Sequence, residues 1–149
     1  MQQAMIPNIQ RTTTYKTTRG RCYDPWRHAE QLGIDVIATP LQTCHGLWVP
    51  DHNTILLHSR LRHVYQRTVL THEIGHAVNG HDDDSPKNEN QADKFAAYHL
   101  IDPDELAGLL DVSPDEQNLI RELGVTTRLF RSYIAHHHRV VALPRCEVA

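Results

Sequence analysis

His72-Glu73-Ile74-Gly75-His76 and, thirteen residues past its second histidine, Glu89-Asn90-Gln91-Ala92-Asp93 are the stretches that decide how this chain reads. The first is H-E-x-x-H. On a helix, residues four apart stand one turn above the other on a single face, so both imidazoles can reach one ion. Glu73, one step round the helix, is near enough to hold a water at that ion while turned away from direct ligation. The second stretch offers Glu89 and, four residues later on the same helical face, Asp93. Two histidines and a carboxylate leave one tetrahedral position open, which is the arrangement of a catalytic rather than a structural zinc. The expected centre is therefore one zinc per chain on His72, His76 and Glu89. Glu73 is the expected catalytic base, and Asp93 the acceptor for the free N–H of a ligand histidine.

With 12 histidines in 149 residues, two solvated helix histidines flanking a glutamate are the plain alternative. Three features argue against it. Val69, Leu70, Ile74, Ala77 and Val78 have helical apolar spacing, which places the motif on a helix. Gly75 weakens a helix but lets a second one come close at ligand height. Glu89 heads the next helical stretch. His81 competes as third ligand, five residues after His76. The elongated motif H-E-x-x-H-x-x-G-x-x-H, however, needs glycine where Asn79 stands and a histidine three places later, where Asp82 stands, so Gly80 and His81 each miss the register by one. Gly80 is better placed to end the helix in a left-handed conformation, which leaves His81 as a rim residue.

The rest of the chain sets the frame. Residues 1–21 are polar and threonine-rich, with scattered basic residues, and read as a flexible tail. Asp24-Pro25 opens a helix that Gly33 ends. Residues 34–38 alternate as a strand, and 46–49 and 54–57 make a hairpin around Pro50-Asp51-His52-Asn53. The motif helix is expected from about Leu61 to Asn79, with a solvated acidic loop (Asp82, Asp83, Asp84) following, and the second helix from Glu89 to Leu100. Asp102-Pro103 starts a further helix, Ser113 starts another with S-x-x-E capping-box spacing to Glu116, and Thr126 or Thr127 opens a last one after Gly124. The final two read as a helix-turn-helix, with four arginines against one glutamate between Ile120 and Arg139. Protein docking, plain packing and phosphate contact all remain open for that segment. His136-His137-His138 reads as a solvated helix end. Trp48 covers either a substrate or the core.

Composition narrows the function class. A net charge of −3 gives no general pull toward nucleic acid or anionic lipid. No apolar run approaches the ~20 residues of a membrane span. Three widely spaced cysteines, Cys22, Cys44 and Cys146, suggest a reducing cytoplasm rather than a disulfide framework.

These residues resemble the ImmA/IrrE family of zinc metallo-endopeptidases of phages, integrative elements and bacteria. That family pairs an H-E-x-G-H-type helix with a later E-x-x-A-(D/N)-x-F-A-A segment, here Glu89-Asn90-Gln91-Ala92-Asp93-Lys94-Phe95-Ala96-Ala97. The likeness covers about Tyr23 to Leu100, with a fainter echo to Ile134. It implies a compact zincin-like α+β domain over 22–101, a small mixed sheet packed on the motif helix, and a helical segment over 102–149. It further implies cleavage of a regulatory protein in the bacterial cytoplasm, often a helix-turn-helix repressor of a phage or mobile element. The rival expectation is a non-catalytic, zinc-stabilised regulator that binds a repressor or DNA through its C-terminal helices.

Overall fold

A computed structural model describes residues 19–137. Its elements are α1 (Pro25–Gln31), β1 (Asp35–Thr39), β2 (Gly46–Val49), β3 (Thr54–His58), α2 (His63–Val78), α3 (Pro86–Leu100), α4 (Pro103–Val112), α5 (Glu116–Leu123) and α6 (Thr127–His137). Three strands and six helices make an α+β architecture, as the sequence predicts. The sheet is mixed, in the order β1-β3-β2, with β1 parallel and β2 antiparallel to β3. The hairpin turns through a short 3-10 stretch, Pro50–His52, and a left-handed Asn53.

Local chemistry sets most boundaries. Asp24, Ser85 and Asp102 each cap a helix whose first residue is proline, their side-chain oxygens accepting amide N–H groups of the first turn. Helix α3 therefore starts at Pro86, three residues before the expected Glu89. Helix α5 differs too: its cap is Asp115, which accepts the Asn118 N–H at 2.8 Å, not Ser113. Ser113 instead ends α4, its N–H bonding the Leu109 carbonyl, and the Asp115 carboxylate two residues on takes the α5 cap. Thr126 caps α6, its hydroxyl accepting the Leu129 N–H.

Two apolar clusters flank the α2–α3 pair. Ala29 of α1, Ile34 just before β1, Ile55 and Leu57 of β3, and Leu70 and Ile74 of α2 form one, with Trp26, Trp48 and Phe95 at its margin. Trp48 thus packs against the core. On the other side, Ala96, Ala97 and Leu100 of α3 meet Leu106, Leu119, Leu123, Leu129, Phe130 and Tyr133 from α4–α6. Gly75 is what lets α2 and α3 meet closely. A Cβ there would lie 3.1 Å from the Ala92 backbone and from Phe95 Cβ.

Of the expected tail, residues 19–21 are described, and they are tied down. Arg19 donates to the Tyr98 and Ile101 carbonyls at 2.7 and 3.1 Å and stacks over the Tyr98 ring. The remainder of residues 1–21, together with Arg139, Cys146 and His138, lies outside the described residues.

Candidate metal centre

Helical geometry builds the centre from two directions. On α2, His72 and His76 stand one turn apart with their Nε2 atoms 3.1 Å from each other. On α3, capped by Ser85, Glu89 lies in the first turn, where a carboxylate complements the helix dipole. Its Oε1 is 2.8 Å from His76 Nε2 and its Oε2 is 3.3 Å from His72 Nε2. Ligands about 2.1 Å from a tetrahedral ion sit roughly 3.4 Å apart, so these three donors already have nearly the required spacing. They form the one metal-capable group of histidine, cysteine and carboxylate residues found among the described residues.

The donor chemistry fits a cation. Two imidazole nitrogens facing one another across 3.1 Å cannot both present lone pairs without repulsion. A positive charge between them and the Glu89 carboxylate resolves this. The other ring nitrogens are committed elsewhere. His72 Nδ1 is 2.9 Å from Asp93 Oδ1, so His72 donates there and keeps Nε2 bare. The second Asp93 oxygen accepts from Arg128 of α6 at 2.9 Å, and Arg128 reaches Glu89 Oε2 at 3.3 Å. Burial alone would raise the Asp93 pKa, but His72 and Arg128 together hold it below the ordinary carboxylate value.

His81 is not a rim residue. It is 7% exposed, and its Nδ1 lies 2.9 Å from His76 Nδ1, on the side of that ring away from Glu89. Its Nε2 is 2.7 Å from Gln91 Oε1. The helix ending explains the placement. Gly80 at φ +67° closes a Schellman turn in which His81 N–H bonds the His76 carbonyl and Gly80 N–H bonds the Ala77 carbonyl. That turn folds the residue after the glycine back over the last helical turn. The expectation of a left-handed Gly80 carried this consequence within it.

Glu73 is buried between α2 and strand β2. A Cβ on Gly46 would lie 3.1 Å from Glu73 Cγ and 2.5 Å from Val69 Cγ1, so glycine is what admits this contact. Burial raises the Glu73 pKa to about 7, against the lowering effects of His72 and of a hydrogen bond from the Trp48 backbone. His58 N–H bonds the His45 carbonyl, and alternation along the antiparallel pair then turns the Gly46 and Trp48 backbone groups away from β3, the Trp48 N–H toward Glu73.

The arginines of the C-terminal helices are engaged within the chain. Arg128 holds Asp93 and Glu89, Arg131 pairs with Glu116 at 3.1 Å, and Arg121 donates to Asn118 at 2.6 Å. Two of the four arginines counted on the expected positive face, Arg128 and Arg131, thus meet carboxylates, and Arg121 meets a neutral amide. Asp82, Asp83 and Asp84 stay at the surface, with Asp83 holding Ser85 and Asn88. No helix among the described residues is long and apolar enough to cross a membrane.

Comparison with known proteins bears on the family. A stretch of 52 residues, 35% of this chain, is 46% identical to the radiation response metalloprotease IrrE of Deinococcus radiodurans, and it spans 16% of that relative's length. The family model described as the IrrE N-terminal-like domain matches residues 29–140, which take in the sheet, both histidines, Glu89 and the helices beyond. The chain belongs to the ImmA/IrrE metallopeptidase family.

Proposed function

We propose that this chain is a zinc-dependent metallo-endopeptidase that hydrolyses a peptide bond in a regulatory protein, with a helix-turn-helix repressor of a phage or mobile element as target. The observation that carries the reading is the convergence of His72, His76 and Glu89 beside a buried Glu73. His72 Nε2, His76 Nε2 and one Glu89 oxygen would hold the zinc, which when bound supplies Lewis acidity to a water and to the scissile carbonyl.

The chain's own residues do the rest. Glu73 accepts a proton from the attacking water at its carboxylate and returns it to the leaving amine. Burial favours the protonated form of this carboxyl and an adjacent cation the ionised form, opposing pulls that suit a group that takes up a proton and gives it back. The outward-facing Gly46 backbone and Trp48 carbonyl offer an edge on which an extended substrate can add as a strand beside Glu73, which itself takes the Trp48 N–H. Trp48, packed at the core margin, fixes that edge rather than covering it.

The test uses the zinc-loaded full chain with purified helix-turn-helix repressors encoded beside it, and cleavage is read by mass spectrometry. Glu73→Gln should retain stoichiometric zinc and slow cleavage by about 10²–10⁴-fold. Equal activity in parent and variant, or no cleavage of any such repressor by the zinc-loaded parent, overturns the reading.

A further inference from the structure

We propose that Gln91 and His81 form a hydrogen-bond relay that sets the tautomer of His76 and aims its Nε2 at the ion. The inference deepens the metallopeptidase reading and rests on it. The relay runs from Gln91 Oε1 to His81 Nε2 at 2.7 Å, and from His81 Nδ1 to His76 Nδ1 at 2.9 Å. The rings of His76 and His81 meet edge to face, 5.1 Å between centroids.

Donor and acceptor rules fix every proton in it. Two nitrogens at 2.9 Å share a single proton between them. An amide oxygen can only accept, so His81 Nε2 carries a hydrogen. A neutral His81 ring then has a bare Nδ1, and the shared proton belongs to His76 Nδ1. His76 is left with its lone pair on Nε2, the atom that faces Glu89 Oε1 at 2.8 Å. Reversing the polarity, with the Gln91 amide nitrogen turned toward His81, would place the proton on His76 Nε2 and block ligation. Gln91 therefore acts through His81 as a positioning residue, and it adds no charge to the site.

The experiment measures zinc affinity of the full chain at pH 8 by competition with a chromophoric chelator. Alongside it, 1H–15N spectra of the zinc-loaded protein follow the His76 Nδ1 proton. In the parent that proton should be strongly downfield and slow to exchange. His81→Phe keeps the ring volume without its nitrogens. It should weaken zinc by about 10–100-fold and lose the protected proton. Gln91 is exposed, so substitutions there leave the core in place. Gln91→Leu should weaken zinc several-fold, and Gln91→Glu, which can only accept, should restore parental binding and the protected proton. Equal affinity in Gln91→Leu, Gln91→Glu and parent overturns the relay even if His81→Phe fails to fold. A parent that binds no zinc overturns the metallopeptidase reading itself, a result distinguishable from relay failure by being visible before any variant is made.

Discussion

The two histidines of one motif are braced by opposite chemistry. His72 hands its Nδ1 proton to a carboxylate that is itself held by an arginine from α6, thirty-five residues further along the chain. His76 meets a neutral pair, His81 and Gln91, within its own helix ending and the adjoining turn of α3. One brace is charged and reaches across the molecule; the other is uncharged and local. The charged brace makes one ligand dependent on the docking of the C-terminal helices. The local one depends on a single glycine turn. Identical ligand types four residues apart thus inherit different sensitivities, and the motif alone does not reveal this.

That contrast can be broken most severely at the ligands. His72→Ala and His76→Ala should each lose stoichiometric zinc and all cleavage, measured by elemental analysis and peptide hydrolysis. Retention of metal by either variant would show that one imidazole is dispensable and that the braces do not serve a shared ion. Next in size is Asp93→Ala, which removes the acceptor for His72 and a partner of Arg128. Zinc affinity should fall about 10–100-fold, read by chelator competition. A parental dissociation constant there would mean that His72 needs no orientation.

Arg128→Met should do less. Its side chain is 63% exposed, so its ion pairs are screened by solvent, and their loss is worth about 0.2–1 kcal/mol in stability. A thermal shift of a few degrees with zinc retained is the expected result. A variant that cannot fold would show that the charged brace is structural rather than positional.

The smallest effect is the sharpest test of sign. In chelator-treated protein, burial alone would lower the His72 pKa, but the hydrogen bond to Asp93 and the charges of Glu73, Asp93 and Glu89 raise it above 6.5. Protonated His72 therefore stabilises the fold at low pH, and that contribution fades as pH rises through its raised pKa. His76 goes the other way. Burial, and after it the neighbouring His72, lowers its pKa below 6.5, so acid costs the fold stability there once pH drops under that value. NMR titration of the ring protons should place the His72 midpoint above 6.5 and the His76 midpoint below it. Reversed midpoints would show that the two braces had been assigned the wrong way round.

Much of this was legible from residue order, because local signals act over a few residues. Asp24-Pro25, Asp102-Pro103 and Gly124 mark their helix ends, and the 46–57 hairpin appears as read. The close contact permitted by Gly75 is also present. Ser85-Pro86 carries the same start signal as Asp24-Pro25, yet the acidic run before it suggested a loop extending to Glu89. Ser113 and Asp115 are both capping residue types two positions apart, and the S-x-x-E spacing does not choose between them; Asp115 takes the α5 cap, while Ser113 ends α4. His81 was recoverable in principle, since a Schellman glycine returns the next side chain to the preceding turn. Arg128 was not. Its approach to Asp93 depends on how α6 docks on α3, and that docking is set by Leu129, Phe130 and Tyr133 packing against Ala96, Ala97 and Leu100, a tertiary arrangement that no short spacing encodes.

The seam between the two apolar clusters gives the centre a second significance. His72 and His76 come from the helix that backs the sheet, whereas Glu89 and Asp93 come from the helix that backs the C-terminal bundle. An ion seated there would act as a rivet through both halves. Its occupancy would add to global stability by mass action, about 4 kcal/mol when free zinc stands a thousandfold above the dissociation constant. Zinc supply would then govern how long the folded chain survives, apart from any part the ion plays in the proposed cleavage.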